Sequence, residues 1–185
     1  MYMGLDIFFE KRKNYSSKIE SAMAKFFNEE KEGRLETLKQ AEELRAELGL
    51  EGRIKLTEES YRNNGETVTY VSARRTDMDE VGYFRKHNHL LNYFRYEENC
   101  SYLPVSRGQI EDFVEDAKKV LSHWGKDDFV DTAESFIKTT DGFFFGNTDY
   151  NQYYKMALED DVEVFEKILS ETDFNTDQIV MYCWW

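Results

Sequence analysis

Proline occurs once, at Pro104, and glycine ten times in the 185 residues. That scarcity excludes a long Pro- or Gly-rich linker and predicts a single domain over residues 1–185. A chain of this length can bury a core without help from disulfides or metal. Cysteine is confined to Cys100 and Cys183, with no CxxC pair and no metal-ligand spacing. A reduced pair, no disulfide and no cofactor are therefore expected. Histidine is equally sparse, at His87, His89 and His123, and HExxH is missing. No apolar run approaches the roughly 18 residues of a membrane span, and the first residues lack the apolar core of a signal peptide. A soluble protein of the cytoplasm, without membrane contact, is the expectation.

Aromatic residues and acidic charge are what the chain has in quantity. There are 14 Phe, 12 Tyr and 3 Trp, enough material for a core despite a charged fraction of 33%. The net charge of −13 is unevenly spread. Residues 1–106 carry 17 Lys and Arg against 19 Asp and Glu, whereas residues 107–185 carry 7 against 18. Phosphate binding by the C-terminal part is disfavoured, and a basic partner surface is favoured.

Taken in order, Gly4–Glu10 is rich in Ile and Phe and predicts a first strand ended by the basic run Lys11–Lys13. Apolar stripes follow, first Ile19, Met23, Phe26 and Phe27, then Leu35, Leu38, Ala41, Leu44 and Leu48. Their register shifts across Glu29–Gly33, so residues 17–48 read as one stuttered helix or as a pair broken at Gly33. The leucine stripe suits a homodimer seam as well as a core. Asn63-Asn64-Gly65 predicts a type I′ hairpin between strands at 53–58 and 66–74, because both central residues need positive φ. This helical and hairpin region, about 15–76, reads as an elaboration of the domain. Further on, Ser106 and Gln109 have the spacing of a capping box before the apolar series Ile110 to Trp124. A shorter helix is predicted over 127–138, then a last helix from Asp149 to about Ser170 with Thr148 as N-cap. The ending Ile179–Trp185 is strongly β-prone and is expected to pair with the first strand, since an unpaired edge of that composition would aggregate. The fold class is thus α+β: a small antiparallel sheet including both terminal strands, packed against several helices.

The stretch Val81–Ser106 holds two histidines, one cysteine, the proline and the densest aromatics. Residues 79–96 read as one helix, with Phe84, His87, Leu91 and Phe94 on its apolar face and Arg85, His89 and Asn92 opposite. In a regular helix His87 and His89 would point roughly 200° apart, so they could not hold one ion. No metal site is expected. Gly142–Thr148 resembles a phosphate-binding turn before a helix but lacks the P-loop lysine. Arg85, Lys86 and Asn88, together with Asn147, Asp149 and Tyr150, remain as an alternative ligand site. No catalytic residue is assigned.

The acidic helices provide the other candidate. Glu111, Asp112, Glu115 and Asp116, then Asp127, Asp128 and Asp131, then Glu159, Asp160, Asp161 and Glu163 recur three to four apart on helix faces. They read either as an ordinary solvated surface or as a carboxylate array imitating nucleic-acid phosphates.

Several blocks together carry a resemblance: Met3-Gly4-Leu5-Asp6, Val81–Asn88 with Tyr83-Phe84-Arg85-Lys86, then Cys100 and Tyr102, and the run from Gly142 to Tyr150 (GFFFGNTDY). In these blocks the chain resembles small bacteriophage and prophage proteins that open MGLD, carry a Y-[WF]-R-K-x-N block and a GFFFG-[SN]-TDY block, and end in an aromatic strand. The resemblance covers the termini and the region from about Val81, and departs from the family over 15–76. It brings no activity with it but implies a phage or mobile-element origin. Small acidic phage proteins are often stoichiometric inhibitors of host machinery. The resemblance therefore implies a non-enzymatic inhibitor of a host nucleic-acid-handling protein with a basic surface, such as a CRISPR effector. A ligand-binding or enzymatic accessory protein using Arg85, Lys86 and Asn88 is the alternative.

Overall fold

The computed structural model describes residues 4–97, 102–142 and 145–184. In chain order the elements are β1 (Asp6–Lys13), α1 (Ser17–Lys31), α2 (Leu38–Glu47), β2 (Ile54–Asn63), β3 (Glu66–Arg75), β4 (Met78–Arg85), α3 (His89–Tyr93), β5 (Leu103–Val105), α4 (Arg107–Ser122), α5 (Phe129–Phe136), α6 (Gln152–Glu171) and β6 (Asp177–Trp184). The class is α+β. Two compact units divide them, residues 1–13 with 79–185 and residues 14–78.

The first unit is built on a sheet of order β4-β1-β6-β5. The two terminal strands lie side by side and antiparallel, from Asp6 opposite Trp184 to Lys13 opposite Asp177. β1 therefore runs on through the basic run Lys11–Lys13 rather than stopping before it, because each of these residues has a partner in β6 and Lys13 Nζ reaches Asp177 Oδ1 at 2.5 Å. Alternation along β1 sends Leu5, Ile7 and Phe9 to one face, where they join Ile179 and Met181 in a core completed by the helices. Phe9 sits at its middle, with ring centroids 4.9 to 5.6 Å from Phe84, Phe94 and Phe165.

The helices cover this core with stripes at the expected spacing. Ile110, Phe113, Val114, Ala117 and Val120 are the buried positions of α4, and Tyr154, Leu158, Phe165 and Ile168 those of α6. The capping box opens α4: Ser106 Oγ accepts from Gln109 N at 3.2 Å and Gln109 Oε1 from Ser106 N at 2.9 Å. Trp124, expected on the buried face of this helix, lies beyond its end and packs on Phe129 instead. The cap of α6 is Asn151, not Thr148, because the Asn151 side chain accepts from both Tyr153 N and Tyr154 N.

Residues 79–96 are not one helix. Met78 to Arg85 form strand β4, with Gly82 and Phe84 buried and Tyr83 and Arg85 exposed, and only His89–Tyr93 is helical. Apolar residues at this density satisfy a period of two as well as one of 3.6. Pairing with β1 decides between them, and Lys86 at φ 65° breaks the chain's direction between strand and helix.

The second unit has its own core around Met23, Phe26, Ala41, Leu50, Ile54 and Val71. Residues 17–48 are two helices, separated at Gly33 with φ 70°. Leu38, Leu44 and Leu48 pack onto that core. The β2–β3 hairpin turns at Asn64 and Gly65, both with positive φ, in the type I′ manner. Arg75 joins Glu20 and Asp77 in this unit, with its guanidinium over the Tyr15 ring.

Replacing Phe9 by Ala is expected to lower stability by about 3–5 kcal/mol, because three aromatic rings lose their common neighbour. Urea unfolding of the two proteins measures this.

Candidate functional site

The end of β4 and the start of α3 place five polar residues in succession, Arg85 to His89. Arg85 points to the exposed side, where its Nη1 donates to both oxygens of Asp6 at 2.9 and 3.3 Å. Lys86 follows at φ 65°, a conformation uncommon for a residue with a side chain, held by its amide donating to Leu5 O at 2.8 Å. Asn88 is 1% exposed and works as a clamp. Its Nδ2 donates to the carbonyls of Phe145 and Asn147, both at 3.1 Å, while its Oδ1 accepts from Thr140 N at 3.1 Å. These bonds fasten the loop between α5 and α6 to the β4–α3 junction. Within the loop, Thr139 Oγ1 donates to Thr148 O, and Asn147 and Asp149 bond each other through backbone and side chain.

Because the chain turns between Arg85 and His89, both histidines converge on one carboxylate. His87 Nδ1 lies 2.6 Å from Asp161 Oδ1, and His89 Nε2 lies 2.5 Å from Asp161 Oδ2. The Asp161 side chain is fully buried, His89 is 3% exposed and His87 16%. The rings are held in place by neighbours: His87 by Phe84 at 5.4 Å between centroids, His89 by Tyr154 at 5.6 Å and Phe113 at 6.5 Å. Burial opposes charge on both partners. The attraction of His89 and the bonds from both rings nevertheless hold the Asp161 carboxyl below the usual range. Against the same burial penalty, the Asp161 hydrogen bond and charge, with Asp160 behind, raise the pKa of His87.

Two expectations are corrected by this geometry. The histidines do not point apart, since they stand on a strand-to-helix junction rather than on one helix. Asp161 does not belong to an exposed acidic face. Its place in α6 sets it on the core side, three residues beyond Leu158 and four before Phe165. Nothing in the sequence signal singled it out from Glu159 and Asp160, except that it falls on the apolar stripe at i+3 from Leu158.

A cavity of about 220 Å³ opens over the junction, lined by Arg85, Lys86, His87, Asn88 and His89 on one side. Asn147, Asp149 and the first turn of α6 line the other. Five of the six residues of the alternative ligand site, Arg85, Lys86, Asn88, Asn147 and Asp149, thus meet in one place. Tyr150 does not line this cavity; its hydroxyl accepts from Thr139 N at 3.3 Å. Phe143 and Phe144 of the glycine-flanked run, and Cys100, lie outside the described residues. Cys183 carries a free thiol whose pKa burial pushes up to about 12.

The remaining acidic candidates are spread over three helices and the turn before α5. Glu111, Asp112, Glu115, Asp127, Asp128, Asp131, Glu159, Asp160 and Glu163 are exposed, and Asp116 is half-buried under the Tyr93 hydroxyl at 2.9 Å. Some have local partners: Glu111 pairs with Arg107 and Glu159 with Lys155, and Asp128 Oδ1 lies 3.0 Å from His123 Nδ1. Comparison of the chain with protein families, with curated proteins and with solved structures finds no match.

The cluster sets a pH dependence. His87, with its pKa raised on folding, stabilises the fold fully below the unfolded histidine value of about 6.5, and the contribution fades as pH rises through the folded value. Asp161, with its pKa lowered, contributes above the unfolded value of about 3.9, and loses this as pH falls through the folded one. The stability difference between the chelator-treated protein and His87→Ala is therefore expected to be largest between about pH 4 and 6.5 and to shrink towards pH 8. Urea unfolding across that range measures it.

Proposed function

We propose that this chain binds a small polar ligand bearing an anionic group in the cavity between the β4–α3 junction and the start of α6. The observation that carries the reading is Lys86 itself. It is held in a left-handed backbone conformation at the cavity wall, next to two histidines, and among the described residues it takes part in no ion pair. Strain of this kind is kept where the surrounding structure over-determines it, and binding sites are where it gathers. Amides of Asn147 and Asn151 and the exposed ring of Tyr153 complete a surface suited to polar recognition. At about 220 Å³ the cavity is smaller than those of drug-sized ligands, about 300–1,000 Å³, so a small molecule or an end group is the fitting occupant.

The test is calorimetric titration with inorganic phosphate, a nucleoside monophosphate and a dicarboxylate, repeated on Lys86→Gly. Glycine accepts the positive φ without strain, so the variant is expected to melt no lower than the parent. It should bind the preferred anion weaker by roughly tenfold or more, the worth of one charged hydrogen bond. Unchanged affinity in Lys86→Gly, or no binding of any probe, rejects the reading.

The nine exposed carboxylates favour a second reading, in which a phage-derived inhibitor engages the basic surface of a host nucleic-acid-handling protein. Here association with a CRISPR effector or host nuclease would weaken steeply with salt, since exposed charges are screened beyond roughly 8 Å at physiological ionic strength. Reversing Glu111, Asp112 and Glu115 together would slow association while leaving the melting temperature nearly unchanged. Salt-insensitive association in a pull-down and kinetic assay rejects it.

A further inference from the structure

We infer that His87, His89 and Asp161 form a binding site for one divalent transition-metal ion of the zinc class. The inference shares the histidine wall of the cavity with the anion reading but does not require it. The three side chains offer Nδ1, Nε2 and a carboxylate oxygen, all within 4.8 Å of one another. Around a tetrahedral ion with bonds of about 2.0–2.1 Å, ligand atoms stand roughly 3.3 Å apart. The two His–Asp contacts, at 2.6 and 2.5 Å, need to open by less than about one ångström, and the widest separation within the 4.8 Å set needs to close by up to about 1.5 Å, to reach that spacing.

The surroundings fit a prepared site. Two imidazoles and a carboxylate are a borderline donor set that suits zinc, cobalt or nickel. Calcium and magnesium prefer oxygen ligands throughout. The ligand-bearing backbone is rigid, because Asn88, between the two histidines, makes three hydrogen bonds to the facing loop. The histidine rings lie 5.7 Å apart at 33° and are wedged by Phe84, Phe113 and Tyr154. Such an aromatic shell limits the rotation of ligands before the ion arrives. Both histidines line the cavity, which provides the ion's path inward and leaves a coordination position for water or a ligand. A carboxylate buried this completely is costly by itself, and an ion with two positive charges offsets that cost more fully than a shared proton does.

The experiment uses the full chain after dialysis against chelator. Zinc is titrated in competition with a chromophoric chelator, and cobalt is followed by its visible absorption. One equivalent of each is expected, with the intense cobalt bands of a four-coordinate site. Calcium should not compete. His87→Ala and His89→Gln are each expected to weaken zinc by more than roughly 100-fold, since even the loss of an outer partner costs about 10–100-fold. Near-UV circular dichroism of His87→Ala, the more exposed position, checks that the fold survives. His87→Asn serves as a second variant at that position and is expected to lose zinc in the same way. His123→Ala and Cys183→Ser should bind as the parent does.

Absence of stoichiometric uptake, or uptake unmoved by a folded His87 variant, overturns the inference and leaves a hydrogen-bonded His–Asp–His cluster. Loss of binding in His123→Ala overturns it as well. The two readings of the cavity separate cleanly. Anion binding that persists in chelator without zinc uptake refutes the metal site alone, whereas zinc uptake with no anion bound refutes the ligand reading alone. Lys86→Gly should lower anion affinity and leave zinc affinity unchanged.

Discussion

The buried carboxylate of Asp161 is the constraint on which the site depends. An ionised group without solvent must have its lone pairs occupied, and here both oxygens are taken by imidazoles from one short segment. That requirement binds the middle of α6 to the junction of β4 and α3. The turn at Lys86 brings the segment carrying both histidines round to α6, where side chains two positions apart reach the two oxygens of one carboxylate. Asn88, lying between them, carries the same constraint outward by holding the α5–α6 loop through three bonds.

The sheet supplies the platform for this arrangement. β1 lies between β4 and β6, so the strand that leads into the junction is aligned by the pairing of the two ends of the chain. Phe9 on β1 touches rings from β4, from α6 and from the residue closing α3, the three parts that bring the histidines and the aspartate together. Core packing and the polar cluster are therefore coupled. A loosened aromatic centre would move the ligand atoms relative to one another, and small displacements decide whether an ion or only a proton is held.

Charge is arranged on two scales. At the surface, carboxylates along α4 to α6 give the chain its acidity, and two of them, Glu111 and Glu159, are matched by an arginine or lysine one turn away. Such pairs contribute little to stability and leave the overall field negative. At the cavity the pattern differs, with Lys86 and His87 beside a single buried anion. A small negatively charged ligand and a metal ion would thus meet different neighbours within one cavity, the first Lys86 and the second the carboxylate.

By itself the sequence determined the pairing of the aromatic termini, the capping box at Ser106, the positive-φ hairpin at Asn64-Gly65 and the apolar stripes of α4 and α6. The cap, the hairpin and the stripes are local patterns with one low-energy outcome, and the terminal pairing follows from an apolar, β-prone end that needs a partner. It also grouped Arg85, Lys86 and Asn88 with Asn147 and Asp149. Other features depended on residues distant in the chain. Residues 79–85 satisfied two periodicities, and the hydrogen bonds offered by β1 selected the strand. Asp161 read like its acidic neighbours until α6 was docked with that side inward. His87 and His89 were excluded as partners by a helix that does not form. Tertiary packing decided these points, because burial turns an ordinary carboxylate into a group that must be paired, and only the assembled fold determines which side chains can reach it.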